Sequence, residues 1–150
     1  MGGVFTKSAT EVIRRANQIA IRLNHKEIDT EHILFALLED HGAAAKLLST
    51  YSIAPEDIYR HFPLMAGAGN QVSSGAKLPL SPHAKIVIEH ALEEFRLLRD
   101  GPFAVGPEFI LLGLLREREG TTGQLLWKFG LRLETVREQV KRLESAEDME

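Results

Sequence analysis

Apolar positions recur along the chain at helical spacing, and no segment alternates with the two-residue period of a strand. Ala9, Val12, Ile13, Ala16, Ala20 and Leu23 form one stripe, which predicts a first helix from Thr6 to about Leu23, with the Thr6 hydroxyl as its cap. A denser run, Ile33 to Leu38, follows Asp29-Thr30-Glu31-His32 and predicts a second helix from about Thr30 to Asp40. Asp29 is its N-cap, and His41-Gly42 ends it with the glycine at C′. Ala44, Leu47, Leu48 and Tyr51 mark a short third helix, and Ala54-Pro55-Glu56 opens a fourth that turns Ile58 and Phe62 inward.

The same pattern then returns. Ala9, Val12, Ile13, Ala16 and Leu23 recur as Ala84, Val87, Ile88, Ala91 and Leu98, 75 positions later, and Glu31 recurs as Glu108, 77 later. Gly42, Leu47, Leu48 and Glu56 recur as Gly120, Leu125, Leu126 and Glu134, 78 later. The shifts fall in predicted loops and the matches on core positions, which is the mark of a duplicated unit. Ser81-Pro82 opens the second copy, and Gly106-Pro107-Glu108-Phe109 stands where the first has Asp29-Thr30-Glu31-His32. Gly130 closes the short helix bearing Leu125, Leu126 and Phe129, and a last helix from about Leu133 carries Val136, Val140 and Leu143 before fraying into acidic residues 144–150. The fold class is all-α, with eight helices as two tandem four-helix repeats. Each repeat is too small for a core of its own, so the two are expected to pack about a pseudo-two-fold axis. The single domain spans residues 1–150: repeat 1 covers about 5–62, repeat 2 about 81–145, and a glycine- and serine-rich linker of about 63–80, mobile over 67–76, joins them.

Composition narrows the function classes. The chain has 150 residues, of which 44% are apolar, no cysteine and a formal charge of −3, with an isoelectric point near 6.1. Nothing here attracts nucleic acid, spans a membrane or directs secretion, so a cytoplasmic protein is expected. The six histidines lack Glu-x-x-His and His-Glu-x-x-His spacing, so no metal and no cofactor are expected. His32 reads as a capping or packing histidine. No serine sits in a nucleophile elbow, and there is no phosphate-binding loop, so the chain is read as non-catalytic. Trp127 and Phe129 fall at core-like spacing, with an anchor facing the groove expected between the two repeats as the other reading of Trp127.

Phe5-Thr6, Leu23-Asn24-His25, Ile28-Asp29-Thr30-Glu31-His32-Ile33-Leu34 and Ala44-Ala45-Lys46-Leu47-Leu48, together with the second copy and the glycine-rich linker, resemble the N-terminal domain of the Clp AAA+ unfoldases, most closely the ClpC branch. The resemblance covers nearly the whole chain. The second copy departs from it, with Pro107-Glu108-Phe109 in place of Thr-Glu-His and Arg116-Glu117-Arg118-Glu119-Gly120 in place of Arg-Glu-Gly-Glu-Gly. The resemblance implies a docking domain for adaptor proteins and for unfolded or tagged substrates, joined in cis to Clp ATPase modules if the chain is a fragment. The alternative is a stand-alone regulator that competes for the same partners.

As single residues, Glu31 and Glu108 are first-turn acids that complement the helix dipole, for about 0.3–1 kcal/mol. The resemblance implies more: a phosphoarginine pocket in which glutamate takes the guanidinium and a hydroxyl-capped helix start takes the phosphate. Carried over by position, the pairs are Thr6 with Glu31 and Ser81 with Glu108, the first expected to be the better site.

Overall fold

A computed structural model describes residues 3–63 and 75–148, with side chains described as far as 143. Eight helices run in chain order: α1 Lys7–Arg22, α2 Thr30–Glu39, α3 Ala43–Thr50, α4 Pro55–His61, α5 Pro82–Leu98, α6 Pro107–Arg116, α7 Thr121–Lys128 and α8 Leu133–Asp148. Among the described residues there is no strand, and none of the helices is long and apolar enough to cross a membrane.

The starts follow from their caps. Thr6 Oγ1 accepts the Ala9 N–H at 3.1 Å and Ser81 Oγ the Ala84 N–H at 3.1 Å, so equivalent hydroxyls open α1 and α5. Pro55, Pro82 and Pro107 each occupy a first helical position, where a missing N–H breaks no intrahelical bond. Asp57 closes the first turn of α4 by accepting the Ala54 N–H at 2.8 Å.

α2 and α6 form the centre. Leu34, Ala36 and Leu37 of α2 and Ile110, Leu111 and Leu112 of α6 are wholly buried, because each helix packs on members of both repeats: α2 on α5, α6 and α7, and α6 on α1, α2 and α3. A buried hydroxyl pair, Thr30 with Thr122 at 2.8 Å, and Tyr51 donating to Gln139 at 3.0 Å also cross between the repeats.

The crossing is reciprocal. Thr6 N–H donates to Val105 O at 3.1 Å and Val105 N–H to Val4 O at 2.9 Å; Ser81 N–H donates to Ile28 O at 2.9 Å and Ile28 N–H to Pro79 O at 2.8 Å. Val4 and Thr6 correspond to Pro79 and Ser81, and Ile28 corresponds to Val105. The two isolated parallel bridges, Phe5 with Val105 and Ile28 with Leu80, are therefore the same contact made twice with the repeats exchanged. An isologous interface between two like units has this pattern.

Three details differ from the sequence reading. Gly42 is not the left-handed residue that ends α2: His41 takes that conformation at φ 59°, while Gly42 is the N-cap of α3 at φ −93°. Only residues 40–42 separate the two helices, so the chain has to turn one residue earlier. α8 continues to Asp148 instead of fraying after 143, since neither glycine nor proline interrupts it. The expected mobile segment 67–76 lies largely outside the described residues, but the chain that follows is fastened. Asn17 donates to Ala76 O at 2.9 Å and accepts the Leu78 N–H at 2.8 Å, so residues 76–80 lie on α1 and lead into the Leu80 bridge.

Gly113 sets how close α5 and α6 come. A Cβ there would lie 2.3 Å from the Val87 carbonyl oxygen, and that oxygen belongs to a helix backbone that cannot swing aside. The equivalent residue in repeat 1 is Ala36, which fits. Gly113→Ala is expected to destabilise by about 1–3 kcal/mol through overpacking, whereas Ala36→Gly loses about 1 kcal/mol by helix propensity. Chemical denaturation of the two variants measures both; a Gly113→Ala variant as stable as the wild type would show that the helices separate without cost.

Candidate functional site

Two junctions lie where helix starts meet. At the first, the Thr6–Val105 bond brings the start of α1 against the start of α6, whose N-cap is Gly106. At the second, the Ser81–Ile28 bond brings the start of α5 against the start of α2, whose N-cap is Asp29. Thr6 therefore stands beside the helix that carries Glu108, and Ser81 beside the helix that carries Glu31. The pairing expected from sequence, Thr6 with Glu31 and Ser81 with Glu108, is crossed in the fold. Within a repeat the partners sit at opposite ends of a helix: the 16 residues of α1 separate Thr6 from the His25 turn where α2 begins, a distance of about 24 Å at 1.5 Å per residue.

The junctions are built differently. At the second, Ser81 Oγ donates to Asp29 Oδ1 at 2.9 Å while accepting the Ala84 N–H, and the side chain is 2% exposed. Asp29 Oδ1 also accepts the Thr30 N–H at 2.8 Å, and His32 Nδ1 accepts the Asp29 N–H at 2.8 Å. His32 thus completes a capping box with an imidazole in the place of the usual glutamate or glutamine. Burial raises the Glu31 carboxyl above its ordinary pKa; its own backbone N–H pulls it down and nearby Asp29 pushes it up.

At the first junction Gly106 offers no side-chain cap. The Glu108 carboxylate folds back over it instead, so that a Cβ on Gly106 would lie 2.5 Å from Glu108 Oε1. Thr6 Oγ1 accepts the Ala9 N–H, and no intrahelical acceptor reaches the N–H groups of Lys7 and Ser8 in the first turn of α1. Lys7 is exposed and Thr6 only partly covered. This junction combines a hydroxyl and two backbone donors from repeat 1 with a carboxylate from repeat 2.

The sequence reading missed Glu94, a carboxylate with no exposed surface. Arg137 of α8 grips it with two bonds, Nε to Oε1 at 2.6 Å and Nη2 to Oε2 at 2.7 Å, and Arg116 of α6 reaches Oε2 at 3.3 Å. Its place was visible as the one acid on the Ala84, Val87, Ile88, Ala91, Phe95 face. Trp127 is corrected too: it is 42% exposed and outside the core, because Leu125 and Leu126 take the inward face of α7. Among the described residues no group of three His, Asp or Glu side chains could hold a metal.

The repeated sequence and its all-helical fold have counterparts among known proteins. Residues 4–126 match the family described as the Clp repeat (R) N-terminal domain. The chain belongs to that family. Over 144 residues it is 40% identical to the negative regulator of genetic competence ClpC/MecB of Bacillus subtilis, covering 95% of this chain and 17% of that one. It is 39% identical over 148 residues to the ATP-dependent Clp protease ATP-binding subunit ClpC of Staphylococcus saprophyticus, covering 98% and 18%. This Clp N-terminal domain thus spans less than a fifth of the length of those relatives. In fold it is similar to the Hsp104 N-terminal domain of Candida albicans, with a TM-score of 0.68 at 20% identity over 93% of this chain and 91% of that one.

The His32 cap makes the stability of this Clp N-terminal domain depend on pH. Because Nδ1 accepts the Asp29 N–H, the proton of the neutral ring sits on Nε2, which donates to His25 Nδ1 at 2.9 Å. Protonation would set an N–H against an N–H. Burial first, and His25 second, lower the His32 pKa to about 4 against the partial opposition of Asp29. The unfolded chain therefore binds the proton first as pH falls. Stability is whole above about 6.5, declines through the interval and levels off below about 4, for a total of up to about 3 kcal/mol. Glu31, with its raised pKa, favours the folded state at the acid end and offsets part of that loss. Denaturation from pH 7 to pH 4 should show the decline in the native chain and a flatter profile in His32→Gln, which keeps an acceptor for the cap; parallel profiles would remove His32 as the source.

Proposed function

We propose that this chain is the non-catalytic docking domain of a Clp-type unfoldase, receiving adaptor proteins and unfolded or tagged substrates for ATPase modules joined to it. The carrying observation is the pair of crossed junctions, each setting a hydroxyl-capped helix start from one repeat against a first-turn glutamate from the other. A phosphorylated arginine side chain suits that chemistry. Its guanidinium takes the carboxylate through charge-assisted bonds, and its phosphate takes the hydroxyl and N–H groups at the neighbouring helix start.

The cap geometry favours the junction of Thr6 and Glu108, the reverse of the ranking by sequence. A phosphate there meets the Lys7 and Ser8 N–H groups in a turn that carries the positive charge of Lys7. At the other junction Ser81 already donates to Asp29, proline at the first position of α5 removes a donor, and the Asp29 carboxylate repels an anion. Glu31 with Ser81 is then the weaker pocket.

Titration of an arginine-phosphorylated peptide tests this reading. Glu108→Ala should weaken binding by about 1.5–3 kcal/mol, roughly ten- to a hundredfold, and Glu31→Ala should weaken it less. Melting curves of both variants guard against loss of fold. Equal affinity in the wild type and both variants would leave the glutamates as helix-start acids and move docking to another surface.

A further inference from the structure

The two repeats share a frame, so each serves as a control for the other, and one cluster in repeat 2 has no counterpart in repeat 1. At the end of α7 and the turn into α8, the Arg132 guanidinium carbon lies 3.3 Å from the centre of the Trp127 ring and that of Arg118 lies 4.1 Å from it. The equivalents of Trp127 and Arg132, 78 positions earlier, are Ser49 and Ala54. Arg118 stands in a turn one residue longer than its counterpart: residues 117–119 lie between α6 and Gly120, where residues 40–41 lie between α2 and Gly42. Repeat 1 makes the same helix–turn–helix with none of these side chains. Its left-handed residue is Ser52, at φ 61°, where repeat 2 has Gly130, at φ 95°, and the Ile53 N–H bonds to Leu48 O as the Leu131 N–H bonds to Leu126 O. The fold therefore does not need the aromatic ring or the two arginines.

They border a cleft of about 550 Å³ with Leu115 and Leu131 in its lining and Glu134 at the same opening. Leu115 keeps 5% of its surface exposed and Leu131, fully buried, backs it, so the floor of the cleft is the edge of the core, while Trp127 remains 42% exposed. Arg132 is pinned, since its Nη1 donates to Trp127 O at 2.9 Å and Leu131 O at 3.0 Å. Stacking uses the face of a guanidinium and leaves its edge donors for a planar acceptor. A third arginine in the lining, Arg137, is already neutralised by Glu94. What remains above the apolar floor is two arginines on the ring, one of them pinned, against the single carboxylate of Glu134, an excess of positive charge at the rim.

We propose that this cleft binds an acidic peptide segment, with a carboxylate held on the edges of Arg118 and Arg132 and a neighbouring apolar side chain set against Trp127 and the leucine floor. Charge complementarity selects the occupant: the cationic rim belongs to a chain of net charge −3, so it attracts acidic partners locally while the molecule as a whole repels polyanions. Arg132, already held by two backbone carbonyls, loses little freedom on binding. The site is separate from both junctions and does not depend on what they bind.

Trp127 is the one tryptophan of the sequence, so its emission reports on the cleft directly. A fluorescein-labelled Glu-Glu-Leu-Glu-Glu peptide, followed by anisotropy and by Trp127 emission, should bind saturably and at least tenfold more tightly than Gln-Gln-Leu-Gln-Gln, and raising the salt should weaken it. Arg132→Ala and Arg118→Gln should each reduce the affinity at least fivefold. Arg118→Gln alters a solvent-exposed residue and keeps the result interpretable if Arg132→Ala perturbs the turn. The double variant Glu31→Ala and Glu108→Ala should bind the acidic peptide as the wild type does, which separates this site from the junctions. Absence of saturable binding, equal binding of the glutamine peptide, unchanged affinity in both arginine variants, or an equal response to an oligothymidylate would each overturn the proposal.

Discussion

Four backbone hydrogen bonds that cross between the repeats decide which helix starts lie side by side. They pair buried segments, since Ile28 is 3% exposed and Val105 is fully buried, and an amide left unpaired at such a depth costs about 1–3 kcal/mol. Neither segment can satisfy its own groups, because each runs extended into a helix cap. Repeat 1 therefore supplies the partner for the approach to α6, and repeat 2 supplies the partner for the approach to α2. Each half of the chain completes the other.

Much of this was legible in the sequence, for reasons that can be named. Caps are local: Thr6, Asp29, Ser81 and Gly106 lie next to the helices they open, so their roles could be read from a few neighbours. The buried faces of α2 and α6 were legible because apolar density exceeds what one amphipathic stripe needs. The pairing of Thr6 with Glu108 was not. Duplication shows that two copies are alike, and it carries no information about which copy supplies a neighbour in space. The left-handed turn at His41 was not legible, because the length of the connection, and not glycine preference, decides which residue turns. Helical spacing does not separate a ring that enters the core from one that lies on the surface, whereas the polar counterpart Ser49 does mark that face of the helix as exposed.

The differences between the copies are informative where the frame is the same. Ile19 in α1 corresponds to Glu94 in α5, so an apolar core position in one repeat became a buried carboxylate in the other. Arg116 and Arg137, which hold it, correspond to Glu39 and Tyr59, so all three members of the cluster differ together. Replacing a packed aliphatic side chain with an ion pair brings little stability by itself. Here it ties α5, α6 and α8 together and fixes Arg137 at the lining of the cleft beneath Trp127.

α1 begins at one junction and ends at the other, and α5 spans the same interval in the opposite sense. The two helices hold the junctions a fixed distance apart, about 24 Å for a helix of this length. An extended peptide covers that interval in about seven residues. A flexible chain carrying two suitable side chains at least that far apart would meet the second junction at a high effective concentration once the first was filled, whereas closer pairs could engage only one at a time. Were both junctions to bind such side chains as proposed, the helical scaffold would double as a ruler, sorting multiply marked chains from singly marked ones by avidity without a further contact.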